Sequence, residues 1–540
     1  MNSDAGASKS LWMDTLKMDE FFPLLADAEC DVCVIGAGVA GLSTAYSLTK
    51  AGYNVMVLDD GRIGGGETER TSGHLSNVLD NRYYQIEKWH GKEKARAAYE
   101  SQSYAIDTIE WIIANEGIDC DFQRLPGYLF SINEETVQEL SDELKKEREA
   151  LVSMEVGNYS FENWLPLPSA KPIPYIKFEG QAQLHALKYL RGLARAIIAY
   201  KGRIYTGCHV TDIVDGEKVE IKIAHGPKVK AKYLVVATNS PISDLVKVHT
   251  KQAAYRTYVI ASEVPLGSVP PALYWDTNNP YHYVRLGQGK DAEHEMLIVG
   301  GEDHKTGQES PDVDPYARLE AWARNWFPAF GNVDYKWSGQ IYQPVDGLGF
   351  IGFDPAHGKN IFITTGGGGL GLTHGALSGV ILRDLIVNKY NPWAELYNPS
   401  RMVVRSIGEY VKENVNTAVQ YARNLETPQY SSSAEVPLGH GGIAQDGPDT
   451  VAAYRDDYGH LHKFSPVCPH MKARLCWNEC EKSWDCPAHG SRFTANGEVI
   501  DGPANSNMLE LNPEPGPDYD IEHHYDLKDL NKFDDHRPHR

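Results

Sequence analysis

The chain has 540 residues, of which 42% are hydrophobic, enough for several cores at ~150 residues per domain. Lysine and arginine number 52 against 73 aspartate and glutamate, a formal net charge of -21; nucleic acid is not expected as a partner, because its phosphate backbone selects a basic stripe. Eight cysteines are few for this length and no apolar run is long enough to span a membrane, so a cytoplasmic protein without a membrane span is expected.

Residues 1–28 are polar and read as an N-terminal extension. The apolar run Asp31-Val32-Cys33-Val34-Ile35 then leads into Gly36-Ala37-Gly38-Val39-Ala40-Gly41, a helical pattern, and a second strand over 54–58 that ends on Asp59. Strand, G-x-G-x-x-G, helix, strand and acid form a dinucleotide-binding unit. Its first glycine makes the turn, its second lets amides approach a pyrophosphate, and its third lets helix and strand pack. Gly36, Gly38, Val39, Ala40 and Gly41 are therefore expected to cradle a pyrophosphate. Asp59, about twenty residues on, is expected to face a ribose, with Asp60 and Arg62 beside it. A glycine turn in some other βαβ unit is the competing reading. Cys30 and Cys33, at the start of the buried strand, read as core.

This motif does not choose between NAD and FAD. The next stretch, Ile63-Gly64-Gly65-Gly66-Glu67-Thr68-Glu69-Arg70-Thr71-Ser72-Gly73-His74, resembles the loop that wraps pyrophosphate and isoalloxazine in the glycine/D-amino-acid oxidase family of flavoproteins. The resemblance implies FAD and adds Arg70, Thr71, Ser72, Gly73 and His74 to its site. His74 is placed toward the flavin, where some relatives attach it covalently.

Residues 84–200 read as mainly helical, with amphipathic stretches over 105–115 and 134–151 and a solvated charge run over 143–149. Pro166, Pro168, Pro172 and Pro174 mark a crossing between lobes. Strands resume at 204–206, Val210–Val214 and 219–224 and lead to 233–239. That last run is similar to the strand of FAD-binding folds that ends near the adenosine, which implies Val210, Ala237 and Thr238 in the site. Residues 251–340 read as a substrate lobe, with alternating strands at 255–262 and 282–286. A second glycine run, Gly366 to Gly371, follows Ile361–Thr365, but no further strand ending in an acid comes after its helix. A second nucleotide site is therefore disfavoured. The segment resembles the closing strand and helix of the amine-oxidase FAD fold, with Gly369, Leu370, Gly371, Leu372 and Thr373 at a helix N-terminus that favours negative charge on the flavin.

After a helical connector and a serine linker, strands at 451–454 and Leu461–Phe464 precede Cys468-Pro469-His470 and Cys486-Pro487-Ala488-His489-Gly490-Ser491-Arg492-Phe493. Two thiolates and two imidazoles can hold a [2Fe–2S] cluster, one pair on each iron. Structural zinc is the rival, although zinc sites tend to keep like ligands together and each loop here supplies one Cys and one His. The spacing, the trailing His-Gly-Ser-Arg-Phe and Gly502-Pro503-Ala504 resemble the Rieske family, which implies Cys468, His470, Cys486 and His489 as cluster ligands. Ala473 and Ala488 stand where many Rieske proteins carry a bridging cysteine pair, and Cys476 and Cys480 read as reduced thiols. Without that disulfide, and with Phe493 lacking a hydroxyl, the potential is expected below the top of the Rieske range of about −150 to +300 mV, with Ser491 as the remaining donor. The tail from 513 is acidic and aperiodic, and His523-His524 reads as solvated.

Together, residues 10–512 resemble FAD-dependent oxidoreductases of the glycine/D-amino-acid oxidase superfamily with a fused C-terminal Rieske domain. The expected fold is α/β + β. A Rossmann-like FAD-binding domain over 29–390 (segments 29–90, 200–250 and 340–390) carries an interleaved α+β substrate lobe (91–199 and 251–339). A connector (391–433), a small all-β Rieske domain (434–512) and an acidic tail (513–540) follow. The resemblance implies oxidation of a small amine or amino acid at the carbon beside nitrogen, with electrons passing from FAD to the cluster and on to an external acceptor or O2. Arg285 best matches the family's substrate-carboxylate clamp and Arg256 is second; a structural arginine paired across the sheet is the alternative for both. Tyr258, Tyr283 and Tyr342 are candidate pocket aromatics, able to hold a methylated ammonium or simply to pack the sheet. No spaced His pair with a carboxylate suggests a mononuclear iron. An NAD(P)H-driven reductase feeding a separate oxygenase, and a non-catalytic redox sensor, are the competing functions.

Overall fold

The computed structural model describes residues 8–131, 141–167, 172–224, 226–243, 248–309, 313–423 and 426–511. Residues 1–7, the first part of the 134–151 stretch, Pro168 and the tail with His523-His524 lie outside them.

The central strand, Ala28–Ile35, is buried on both faces over Val32, Cys33, Val34 and Ile35, as the continuous apolar runs of parallel sheets are. It pairs in parallel with Val55–Leu58 on one side and Lys228–Val236 on the other, with Val34 opposite both Val57 and Val235. Arg203–Tyr205 and Ile361–Thr365 extend the sheet in parallel, and Phe350–Phe353 closes one edge antiparallel. Helices Val39–Lys50 and Gly371–Ile386 pack on each other above it. Small residues let them approach: a Cβ at Gly379 would stand 2.6 Å from the Ser43 carbonyl oxygen.

A second, mostly antiparallel sheet runs in the order Tyr335–Pro344, Gln252–Pro265, His294–Lys305, His282–Gln288, Leu273–Asp276, Gln123–Phe130, Tyr175–Gln183 and His74–Leu75. Here the mainly helical expectation for 84–200 is corrected. Helices Lys92–Glu116, Asp142–Met154 and Ala186–Ala199 alternate with strands Gln123–Phe130, Tyr159–Glu162 and Tyr175–Gln183. The strands Gln123–Phe130 and Tyr175–Gln183 have 8 and 9 residues but no regular alternation of buried and exposed positions, so the period-two signal of a strand is absent.

The last unit is all-β. Gly441–Asp446, Asp449–Arg455 and Leu461–Phe464 form one antiparallel sheet, and Cys476–Asn478, Ser483–Asp485, Arg492–Thr494 and Val499–Asp501 form another, around buried Phe464, Trp484 and Phe493. An α/β body with an interleaved second sheet and a trailing small β unit is the expected architecture. Among the described residues, no helix is long and apolar enough to cross a membrane.

Candidate functional site

An elongated cavity lies between the carboxyl ends of the parallel strands and the second sheet, and residues 499–502, 504 and 505 of the all-β unit complete its wall. At the glycine turn, Gly36 has φ +103°, and a Cβ there would stand 2.5 Å from the Ala237 carbonyl oxygen. Helix Val39–Lys50 starts from a glycine cap with no side chain of its own, and the Val39 amide donates to Thr68 Oγ1 at 3.2 Å; the positive end of the helix faces the cavity and favours an anion there. Gly36, Gly38, Val39 and Ala40 line the cavity, whereas Gly41 packs beneath, where a Cβ would overlap the Gly36 carbonyl.

Asp59 accepts from the amides of Ala37 (2.6 Å) and Gly61 (2.8 Å). Burial, reinforced by neighbouring Asp60, raises its pKa to about 7. Asp60 also lines the wall, 3.3 Å from His209. Val210, Ala237 and Thr238 line the same end, and Asn505 of the all-β unit donates to the Val210 carbonyl at 3.1 Å. Arg62 is turned away into an ion pair with Glu69 at 2.7 Å.

In the following loop, Arg70, Thr71, Ser72 and His74 line the cavity. Gly73 lies behind them, its carbonyl accepting from Arg285. Burial, with Arg285 nearby, lowers the His74 pKa to about 3; the neutral ring sits 2.8 Å from Ser72 Oγ and 3.4 Å from the Val284 carbonyl oxygen. Gly369, Leu370, Gly371 and Leu372 form the opposite wall. Thr373 instead donates to the Leu370 carbonyl of its own turn at 3.2 Å.

Tyr283 and Tyr342 line the cavity, but both candidate clamp arginines face elsewhere. Arg285 is buried and donates to the carbonyls of Gly73 (2.7 Å), Leu184 (3.0 Å) and Leu286 (3.2 Å), with its guanidinium over the Trp12 ring. It shares a strand face with Tyr283, but two residues further along, about 6.6 Å, it meets the 71–73 loop and not the cavity. Arg256 and Tyr258 lie on the strand face opposite Thr257. Arg256 bonds Ser338 and stands 3.8 Å from Glu481 of the all-β unit. Tyr258 packs against His304 and Tyr316.

The cavity also gathers residues that no motif marked: Asp80, Thr257, Trp275, Tyr281, Asp303 and Gln340. Asp80 accepts from the Gly369 amide at 2.7 Å and from the Tyr281 hydroxyl at 3.4 Å. Opposite Thr257 the neighbouring strand carries one extra residue at Glu302–Asp303, and Thr257 Oγ1 stands 2.9 Å from the Tyr283 hydroxyl. Burial raises the Asp303 pKa to about 7. The only sequence signal for these acids was an aspartate in a loop and another on an alternating strand, the usual marks of a solvent-facing side chain.

In the all-β unit, two tight loops face each other. The Cys468 carbonyl accepts from the Lys472 amide (2.9 Å), and that of Cys486 from the Gly490 amide (3.0 Å). Both thiols are buried. The Cys486 thiol, then the Ser491 hydroxyl and the amides of His470 and Met471, hold Cys468 down to about 7 against burial. The rings of His470 and His489 stand edge to face at 5.2 Å, and His489 Nδ1 is buried with no hydrogen-bond partner. Two sulfurs and two imidazoles suit two irons with two protein ligands each. Among the described residues, no three His, Cys, Asp or Glu side chains converge as a single ion would require. All eight cysteines lie in the described residues and none is in a disulfide.

The histidine-bearing tip faces the oxidase body. His470 stands 5.7 Å from His249, and Gln340 Nε2 donates to the Gly490 carbonyl (2.7 Å) and to Asp501 (2.8 Å). Nearby, Glu481 enters a fully buried pocket, 3.9 Å from Arg70 and 3.8 Å from Arg256, and accepts from the Tyr316 hydroxyl at 2.9 Å.

Residues 31–385 match the family described as FAD dependent oxidoreductase, and residues 430–517 match the Rieske [2Fe-2S] domain. The chain is 30% identical over 501 residues to the Rieske 2Fe-2S iron-sulfur protein YhfW of Bacillus subtilis (strain 168), covering 92% of this chain and 96% of that one. It is 30% identical to gamma-glutamylputrescine oxidoreductase of Escherichia coli (strain K12), over 68% of this chain and 86% of that one. Among solved structures, glycine oxidase from Geobacillus kaustophilus superposes with a TM-score of 0.56 at 19% identity, over 69% of this chain and 99% of that one; this likeness shows the fold. With its FAD-type cavity and its paired Cys and His loops, the chain belongs to the FAD dependent oxidoreductases, carries a Rieske domain behind the oxidase body, and has FAD and a [2Fe–2S] cluster as its cofactors.

Proposed function

We propose that the enzyme oxidises a small amine or amino acid at the carbon beside nitrogen, N-demethylation included, and that the electrons leave through the Rieske domain to an external acceptor. Gln340 is the observation that carries this reading. Its side chain belongs to the flavin-cavity wall and also bonds the Gly490 carbonyl of the cluster-ligand loop, so the two cofactor sites share a wall. When bound, FAD accepts two electrons together and the cluster accepts one at a time.

The protein's own residues supply the positioning. The turn at Gly36 and Gly38 and the start of helix Val39–Lys50 would hold the pyrophosphate, with Asp59 and Asp60 at the ribose and Val210 at the adenine. Arg70 to His74 and Gly369 to Leu372 would flank the flavin ring. Cys468, Cys486, His470 and His489 would hold the cluster, with Ser491 donating toward Cys468. The relative named gamma-glutamylputrescine oxidoreductase supports a substrate with a C–N bond.

The test is anaerobic mixing of the oxidised holoenzyme with a panel of primary, secondary and N-methylated amines and amino acids, read as flavin bleaching. At least one is expected to bleach it. Bleaching by NADPH, with no response to any amine or amino acid, would favour a reductase and overturn the proposal.

A further inference from the structure

The cavity residues missed by sequence reasoning form one connected group at the substrate end. His74 stands between Trp275 (6.1 Å) and Tyr283 (5.6 Å), and Tyr283 lies 5.8 Å from Tyr281. Tyr281 reaches Asp80, and Tyr283 reaches Thr257. Asp303 lines the same cavity as Thr257. Asp303 Oδ1 is closed off from solvent and has no hydrogen-bond partner. Asp80 is a second enclosed carboxyl close enough to oppose ionisation of Asp303. The positive group that faces Asp303 is His282, which is itself held by Asp276 at 2.8 Å and Glu302 at 3.3 Å. Arg82 acts on Asp80 and lies over the Tyr281 ring at 6.0 Å, so the carboxyl left with an unpartnered oxygen is that of Asp303, and among these aromatic side chains it is suited to receive a cation.

The guanidinium groups in the lining are already committed. Arg70 donates to Ser8 and to the Ser338 carbonyl. Arg82 donates to the carbonyls of Leu79 and Asp276 and faces Glu143 at 3.6 Å. Among the described residues, no arginine of the lining therefore presents an open fork to a substrate carboxylate. Glycine backbone makes the aromatic wall possible: a Cβ at Gly300 would overlap the Tyr283 ring, and one at Gly301 would stand 2.6 Å from the Tyr281 carbonyl oxygen.

We infer that the substrate is a cationic amine without an α-carboxylate, whose protonated or alkylated nitrogen docks against Asp303 Oδ1 beside the Tyr281 and Tyr283 rings. This rests on the amine or amino-acid reading above and selects between its two branches. Asp303 is then the specificity-determining residue, and Asp80 the residue that holds the Tyr281 side of the chamber.

The test uses the oxidised FAD-loaded enzyme and two probes of matched shape and opposite charge, tert-butylammonium and 2,2-dimethylpropanoate. In neither does the carbon bearing the charged group carry a hydrogen, so binding is read without turnover, by calorimetry and by the flavin spectral shift. The ammonium is expected to bind more tightly than the carboxylate, and Asp303→Asn to weaken it by at least about tenfold while flavin content stays constant. Tighter binding of the carboxylate by the unmodified enzyme would overturn the inference without any variant. An unchanged ammonium affinity in a flavin-replete Asp303→Asn enzyme would overturn it as well. If the ammonium binds as expected but no amine or amino acid bleaches the flavin, the functional proposal fails while the cation site stands. If amino acids bleach it and the carboxylate binds more tightly, the functional proposal stands and this inference fails.

Discussion

Glu481→Gln probes the seam between the all-β unit and the oxidase body. The side chains of Glu481, Arg70 and Arg256 are all 0% exposed. Burial works against an ionised Glu481, yet Arg256, Arg70 and Arg492 together hold its pKa below the usual carboxylate value. Glutamine keeps the shape and can still accept from Tyr316, but it leaves two buried guanidiniums facing a neutral amide. Removing one partner of a buried ion pair costs about 3–5 kcal/mol, with no discount for solvent screening at this burial. At 1.36 kcal/mol per decade, seating of the β unit weakens by about two to four orders of magnitude. Because that unit supplies residues 499–502 and the Val210 partner Asn505 to the cavity wall, flavin should be released along with it. Urea unfolding, trypsin cleavage near the connector and flavin content after gel filtration read the three consequences. Unchanged urea midpoint, cleavage rate and flavin content in Glu481→Gln would refute the claim that this ion cluster locks the seam.

Cys468→Ser or Cys486→Ser should remove iron and acid-labile sulfide, about two of each per chain in the parent, and leave flavin content unchanged; metal and sulfide analysis checks this. Gly300→Ala should displace the Tyr283 ring and abolish the flavin spectral response to tert-butylammonium while iron content holds. Burial raises the Glu147 pKa from 4.5 to about 7. Between those values the folded chain keeps a proton that the unfolded chain has lost, so stability falls as pH rises from about 4.5 to about 7 and levels off above that, by about 3 kcal/mol in all. Glu147→Gln should therefore match the parent near pH 4 and exceed its stability at pH 8 by up to about 3 kcal/mol. A pH-independent difference between the two urea midpoints would contradict that assignment.

The parts legible in the sequence are those where a backbone geometry or a donor set demands particular residues at set spacing. Gly36 and Gly41 are needed because a Cβ at either would collide with backbone, and the Cys and His of each cluster loop are separated by one turn. The substrate end has no such constraint. Thr257 and Asp303 come from two strands, and Tyr281 and Asp80 from two loops far apart in sequence, and only the second sheet brings them together. Residue type also misdirected the search for a clamp. An arginine beside pocket tyrosines looks available to a carboxylate, but the alternation around Thr257 turns Arg256 to the domain seam, and one further strand step carries Arg285 to the carbonyls behind the flavin loop. The contribution of Asn505 and its neighbours to the cavity depends on docking of a separate unit, which local patterns do not encode.

The central claim is that the oxidase cavity and the Rieske cluster work as one electron path within one chain. It is tested most directly by anaerobic single-turnover mixing of the oxidised holoenzyme with a bleaching amine, followed by rapid freezing and electron paramagnetic resonance. The account predicts that the rhombic signal of the reduced cluster grows in as the flavin is reduced, independently of protein concentration. Full flavin reduction with a cluster that stays oxidised, or a signal whose rate scales with enzyme concentration, would contradict it.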